Sequence, residues 1–331
     1  MVQADAAQTL KLEPEPQAPA LFVSGLRKDH GGGRGVLGAD FTVPCGSVTA
    51  FIGVNGAGKS TTLKCIMGLA RPDAGEIRVF GALANFESRR AIGFLPEERG
   101  LAPRERARDV IAFYGRLKGM SRRAGLRRAD ALLERIGLGA RGRAQIGELS
   151  KGNAQRVQIL CSIVHEPALL ILDEPFSGLD PIAQSEVQAL FAEHRSGGGA
   201  ILFSTHSMAS AEQLCDRVVA LSRGRTVFEG DVAAATGRAP HGAYVTVVDD
   251  AALLAVSAAL GGEAQALAGR MGEALRWRVL LPAHVPYVAL MRELASREVA
   301  VLGFEPIQAN LEGAFWALAQ DEAALAREEA A

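Results

Sequence analysis

The chain has 331 residues, of which 48% are hydrophobic and 22% charged, and its formal net charge is -1. That is the composition of a folded globular protein of about two domains. A balance so close to neutral excludes a global field steering the chain to DNA or lipid. The four cysteines, Cys45, Cys65, Cys161 and Cys215, stand apart with no Cys-x-x-Cys pair, which argues against a zinc site or a disulfide framework and suits a reducing compartment. No run of about 18 consecutive apolar residues is present, so a helical membrane span is not expected.

Residues 1–19 are rich in Ala, Gln, Pro and Glu without an apolar segment, and read as a disordered tail. A short strand follows at Leu21–Val23, then a glycine-rich turn at His30–Gly35, then strands at Phe41–Val43 and Ser47–Ile52. The next residues, Gly53-Val-Asn-Gly-Ala-Gly-Lys-Ser60, fit G-x-x-x-x-G-K-[ST], and they have the strand before and the helix after that this phosphate-binding loop requires. The glycines Gly53, Gly56 and Gly58 let backbone N–H groups curl around an anion without a Cβ in the way, and Asn55, Ala57 and Thr61 are candidate nucleotide-binding residues of the same loop. The helix that follows points its positive end at the phosphates. Lys59 adds a mobile charge near the β- and γ-phosphates, and Ser60 offers a hydroxyl to Mg²⁺. The helix is expected from Gly58 to about Leu69, with a strand at Glu76–Phe80.

From about residue 97 to 160 the pattern changes to helical spacing, at Ala107–Lys118 and Arg122–Ile136, and reads as a helical insertion in an α/β domain. Arg99–Arg143 holds 13 Lys/Arg against 4 Asp/Glu. Such a stretch is either a solvated face of surface helices or a surface for anionic lipid or an acidic partner. Leu149-Ser-Lys-Gly-Asn-Ala-Gln155 places a Ser-Gly turn, Ser150 and Gly152, at the head of a helix over Asn153–Ile163, a second place for an anion. Leu169–Leu172 is apolar throughout, as suits a parallel strand covered on both faces. It ends in Asp173 and Glu174. Adjacent acids at the end of a buried strand are costly without a partner; Asp173 can hold Mg²⁺ through water, and Glu174 can take a proton from an attacking water. A second buried strand is expected at Ala200–Ser204, and a hairpin at Val218–Leu221 and Thr226–Glu229. After a linker at about 231–242, residues 243–320 alternate strand and helix as a small α+β domain with no catalytic motif.

These motifs, in this order, resemble those of the ABC ATPases. Leu149–Gln155 is similar to their LSGGQ motif, keeping Ser150 and Gly152 and departing at Lys151 and Asn153. Ser177-Gly-Leu-Asp180 resembles their D-loop, and Ser204-Thr-His206 places His206 like their switch histidine. The resemblance covers about residues 20–235. It implies an α/β P-loop ATPase domain with a helical subdomain, using ATP and Mg²⁺ and working as a head-to-tail dimer with itself or a related ATPase. In that dimer Ser150 and Gly152 touch the ATP held by the other subunit's Gly53–Thr61 loop, with Asp180 beside them, while His206 holds the γ-phosphate and water in line. Two positions depart from the family. His30 stands where an aromatic residue usually stacks on adenine, and Glu97 stands where the Q-loop usually has Gln; Glu97 can still ligate Mg²⁺ or orient water. Phe94-Leu-Pro-Glu-Glu-Arg-Gly-Leu101 and the C-terminal α+β domain are similar to a subgroup of bacterial ABC-2-type exporters. The expectation is therefore an ATP-hydrolysing transporter subunit, held at the cytoplasmic face of the membrane by an integral membrane permease. The alternatives are a soluble ABC ATPase acting on ribosomes or nucleic acid, a partner not expected here, and a regulatory ATP-binding module with little turnover.

Overall fold

The computed structural model describes residues 18–98, 100–271 and 274–328, so the expected tail lies outside it except for its last two positions. The chain divides after Val232 into two units.

The first unit runs β1 (Leu21–Asp29), β2 (Gly35–Val43), β3 (Val48–Ile52), α1 (Lys59–Ile66), β4 (Ala74–Val79), β5 (Ala82–Leu83), α2 (Phe86–Arg90) and β6 (Ile92–Leu95). Three helices follow, α3 (Ala107–Leu117), α4 (Arg122–Arg135) and α5 (Lys151–Ile163). The chain returns through β7 (Leu169–Asp173), α6 (Pro181–Ser196), β8 (Ala200–Thr205), α7 (Met208–Leu214), β9 (Arg217–Ser222) and β10 (Arg225–Asp231). The ten strands form one sheet in the order β5-β4-β1-β2-β10-β9-β3-β8-β7-β6. One end is an antiparallel lobe, in which β1 pairs with β2 and β4. The other is parallel, with β3 beside β8 and β9, and β7 beside β8 and β6.

The two halves have different sequence logic. Every residue of β3, β7 and β8 is buried, because helices cover both faces of a parallel sheet. Strands β1 and β2 instead alternate buried and exposed residues and contain register shifts. That is why the expected three-residue strands at Leu21 and Phe41 prove to be nine residues each. Helix α1 is shorter than expected, closing at Ile66.

The helices α3, α4 and α5 gather around their own apolar cluster, including Ile111, Leu132, Leu133, Val157 and Leu160. Their basic surface is partly balanced. Arg108 grips Asp130 through Nε and Nη2, and Arg128 and Arg135 pair with Glu166 and Glu193. Among the described residues, no helix is long and apolar enough to cross a membrane.

Helix α8 (Val232–Thr236) occupies part of the stretch expected to be a plain linker. The second unit then runs β11 (Gly242–Val247), α9 (Asp250–Ala259), β12 (Glu263–Met271), β13 (Ala274–Leu280), α10 (Tyr287–Ser296), β14 (Val301–Pro306) and α11 (Leu311–Glu328). Its antiparallel sheet has the order β12-β13-β11-β14, the βαββαβ arrangement. Val245, Val247, Leu253, Val256, Trp277, Leu290 and Leu294 form a core of its own.

Candidate active site

The carboxyl ends of four neighbouring parallel strands converge, where open α/β sheets bind ligands. Ile52 lies level with Thr205, Asp173 with Ser204, and Leu95 with Leu172. The segments that leave these ends carry the phosphate loop, Glu97, Glu174 and His206.

The loop from Gly53 to Gly58 is closed by the Ala57 N–H donating to Val54 O at 3.1 Å, and Ala57 O accepts from Gly224 N. Gly58 precedes α1 with φ 103°. A Cβ there would lie 2.4 Å from Gly35 O, so only glycine fits on both counts. The Lys59 ammonium is buried and donates to Gly53 O at 2.6 Å and Val54 O at 3.3 Å. Burial lowers its pKa from the usual lysine range, while Glu174, Asp173 and Glu97 pull the other way. It is thus a cation held ready among three carboxylates. Ser60 Oγ lies 3.4 Å from Glu97 Oε2, and Thr61 Oγ1 lies 3.5 Å from His30 Nε2.

Asp173 is buried and accepts a hydrogen bond from Ser204 Oγ, and that same hydroxyl accepts from the Glu174 N–H at 2.9 Å. One serine therefore locks the two acids of β7 to the end of β8. Glu174 itself sits at φ 51°, a left-handed conformation that costs a non-glycine residue about 1–2 kcal/mol. The carboxylate it aims outward lies 3.0 Å from His206 Nδ1. Such strain persists where surrounding contacts fix it, and it is concentrated at functional sites.

Asn55, Glu97, Glu174 and His206 line one cavity of about 200 Å³, together with Gln155 and Ser177. Gln155 closes the Leu149–Gln155 segment and Ser177 opens Ser177–Asp180, and neither residue type alone signals a place in the site. Buried Gln155 reaches from α5 to Pro175 O at 3.4 Å. A larger cavity of about 390 Å³, beside Gly46, Val48 and Arg195, contains none of these groups. Ser150 and Gly152 do not line the 200 Å³ cavity. Ser150 caps α5 by accepting from Asn153 N at 3.2 Å, and a Cβ on Gly152 would lie 3.3 Å from Gly178 O. Asp180 caps α6 by accepting from Ala183 N at 2.9 Å, with Pro181 at the first helical position.

The family model described as ABC transporter matches residues 36–177. The ATP-binding protein YhaQ of Bacillus subtilis is 38% identical over 210 residues, covering 63% of this chain and 70% of that protein. The Nod factor export ATP-binding protein I of Burkholderia lata is 38% identical over 218 residues, covering 65% and 71%. Among solved structures, cbiO1 of Clostridium perfringens, part of the ABC transporter complex cbiONQ, superposes with a TM-score of 0.57 at 28% identity, covering 65% of this chain and 89% of that one. The chain belongs to the ABC transporter ATP-binding proteins, the ATP-hydrolysing subunits of these transporters.

Proposed function

We propose that this subunit drives export through a separate integral membrane permease, working as a dimer with Glu174 as the base that activates water. The observation that carries the reading is the Glu174–His206 contact. A carboxylate on a strained backbone, fixed from behind by Ser204, faces the cavity beside the phosphate loop and is 3.0 Å from an imidazole. Lys59 supplies positive charge to the phosphates. Glu174 accepts the water proton, and His206 orients Glu174 and the γ-phosphate, a positioning role. Ser150 and Gly152, at the head of α5, act on the nucleotide of the other subunit. His30 packs beside the base of the nucleotide.

The donors present fit Mg²⁺. Ser60 Oγ, Glu97 and Asp173 form an all-oxygen set of the kind hard cations take. Among the described residues, no cluster of three or more His, Cys, Asp or Glu could hold a metal alone. That suits an ion carried by one or two carboxylates plus the phosphates of its substrate. When bound, it neutralises charge on the phosphates during transfer. The exporter-type name of the Burkholderia lata relative supports the direction of transport, and the cbiONQ complex of the Clostridium perfringens protein supports a transporter assembly. On this reading the work is done at the cytoplasmic face of the membrane.

Glu174→Gln should retain ATP binding while phosphate release falls about 100-fold or more, the usual worth of a general base. Tagged and captured with ATP and Mg²⁺ from detergent-solubilised membranes, this variant should bring down a multi-span membrane protein in stoichiometric amount. Recovery of ribosomal proteins or nucleic acid in its place, or near wild-type turnover of the variant, would overturn the reading.

A further inference from the structure

The cavity beside the phosphate loop carries an excess of negative charge before any nucleotide arrives. Glu97 and Glu174 both line it, and its described lining residues include no Lys or Arg. Asp173 lies behind it, buried. The Lys59 ammonium already feels all three carboxylates and is tied to Gly53 O and Val54 O. Two of these acids have clear structural duties, since Asp173 is bound by Ser204 and Glu174 meets His206. Glu97 has none of that kind. Among the described residues, its carboxylate meets the Ser60 hydroxyl at 3.4 Å, the long end of a hydrogen bond.

Its position is nevertheless fixed. Buried Gln158 on α5 donates its side-chain amide to Pro96 O and to Glu98 O, both at 3.3 Å. These two carbonyls bracket Glu97. The loop leaving β6 is therefore pinned on both sides of a carboxylate that faces the first turn of α1. A charge held there opposes an incoming γ-phosphate unless a cation intervenes.

We propose that Glu97 makes ATP binding by this subunit conditional on a divalent cation: with the cation absent, Glu97 repels the terminal phosphate, and with it present, the same carboxylate becomes part of the oxygen set that holds it. The discrimination falls on the nucleoside triphosphate. A diphosphate places less charge beside Ser60 and is less affected. The proposal rests on reading the Gly53–Thr61 loop as the nucleotide site.

Glu97 is exposed and Gln has nearly its shape, so Glu97→Gln leaves the packing intact. Calorimetric titration of the full chain with ATP, once in excess MgCl₂ and once in EDTA, measures the effect without any turnover. In the wild type, EDTA should weaken ATP binding strongly. In Glu97→Gln the ratio of the two dissociation constants should shrink by about tenfold or more, as removal of one nearby charge predicts, mainly through tighter binding in EDTA. Glu97→Asp should keep the wild-type ratio, and ADP should show a smaller change than ATP. Equal ratios in wild type and Glu97→Gln would overturn the proposal while leaving the site's identity intact. Failure of the wild type to bind ATP in either buffer would instead overturn the reading of the site, and the proposal with it.

Discussion

Ser204 shows what a single buried hydroxyl does here. It is fully buried, donates to Asp173 and accepts from the Glu174 N–H. Ser204→Ala leaves a carboxylate oxygen and an amide without partners inside the protein. An unsatisfied buried group costs about 1–3 kcal/mol, and more when charged. The variant should lose about that much stability in urea unfolding, and phosphate release should fall with it because Glu174 loses its rear support. An unchanged unfolding midpoint would show that the hydroxyl contributes nothing to the lock. The sequence could not assign this role. Asp173, Glu174 and the phosphate loop are legible because their chemistry is written in consecutive residues. Ser204 acts through the register of two strands 31 positions apart, and no local pattern records that register.

At the scale of elements, Lys118 joins three pieces. It follows α3 and donates to Arg89 O in α2 at 3.1 Å and to Ile92 O in β6 at 2.8 Å. Burial, with a smaller contribution from Arg90, lowers its pKa to about 8. An unfolded chain has lysine at about 10.4. Between these values the unfolded state binds a proton that the folded state lacks, so stability rises with pH from about 8 to about 10.4. Below that window both states are protonated and the penalty of burying the charge is fully present. Urea midpoints at pH 7.5 and pH 10 should therefore rise more in the wild type than in Lys118→Met, whose side chain cannot titrate. Parallel shifts in the two proteins would refute the assignment. Other elements differ in legibility for physical reasons. Helix α6 has an explicit start signal in Asp180 followed by Pro181, but Asp180 also closes the Ser177–Asp180 stretch that resembles the D-loop, and the two signals overlap at that residue. The capping bond to Ala183 gives Asp180 a structural duty as well. Strand β12 is not legible in the sequence because Glu263–Met271 is rich in Ala and contains Gly, residues depleted in strands; its place at the sheet edge comes from pairing with β13.

At the scale of the whole molecule, each unit has its own hydrophobic core, and a unit with its own core can in principle fold by itself. The α/β class of the first unit is legible in its buried apolar strands and phosphate loop, and the second unit alternates strand and helix after the Ala-, Gly- and Pro-bearing stretch at about 231–242. The chain also provides a natural reporter. Both of its tryptophans, Trp277 and Trp316, lie beyond Val232, so their fluorescence follows the second unit alone, whereas ATP binding follows the first. Trp277 is buried in the second core and donates from Nε1 to Asp250 Oδ1 at 2.9 Å. Trp277→Ala deletes that contact and leaves a large void, at a cost of about 3–5 kcal/mol. The fluorescence transition, still reported by Trp316, should move to lower denaturant by a corresponding amount. ATP affinity, measured in the absence of denaturant, should stay within about twofold, since a change of 0.4 kcal/mol is the most that twofold allows. A parallel collapse of ATP binding would mean that the nucleotide site depends on the second core for its own stability, and the two cores would then have to be treated as one cooperative system.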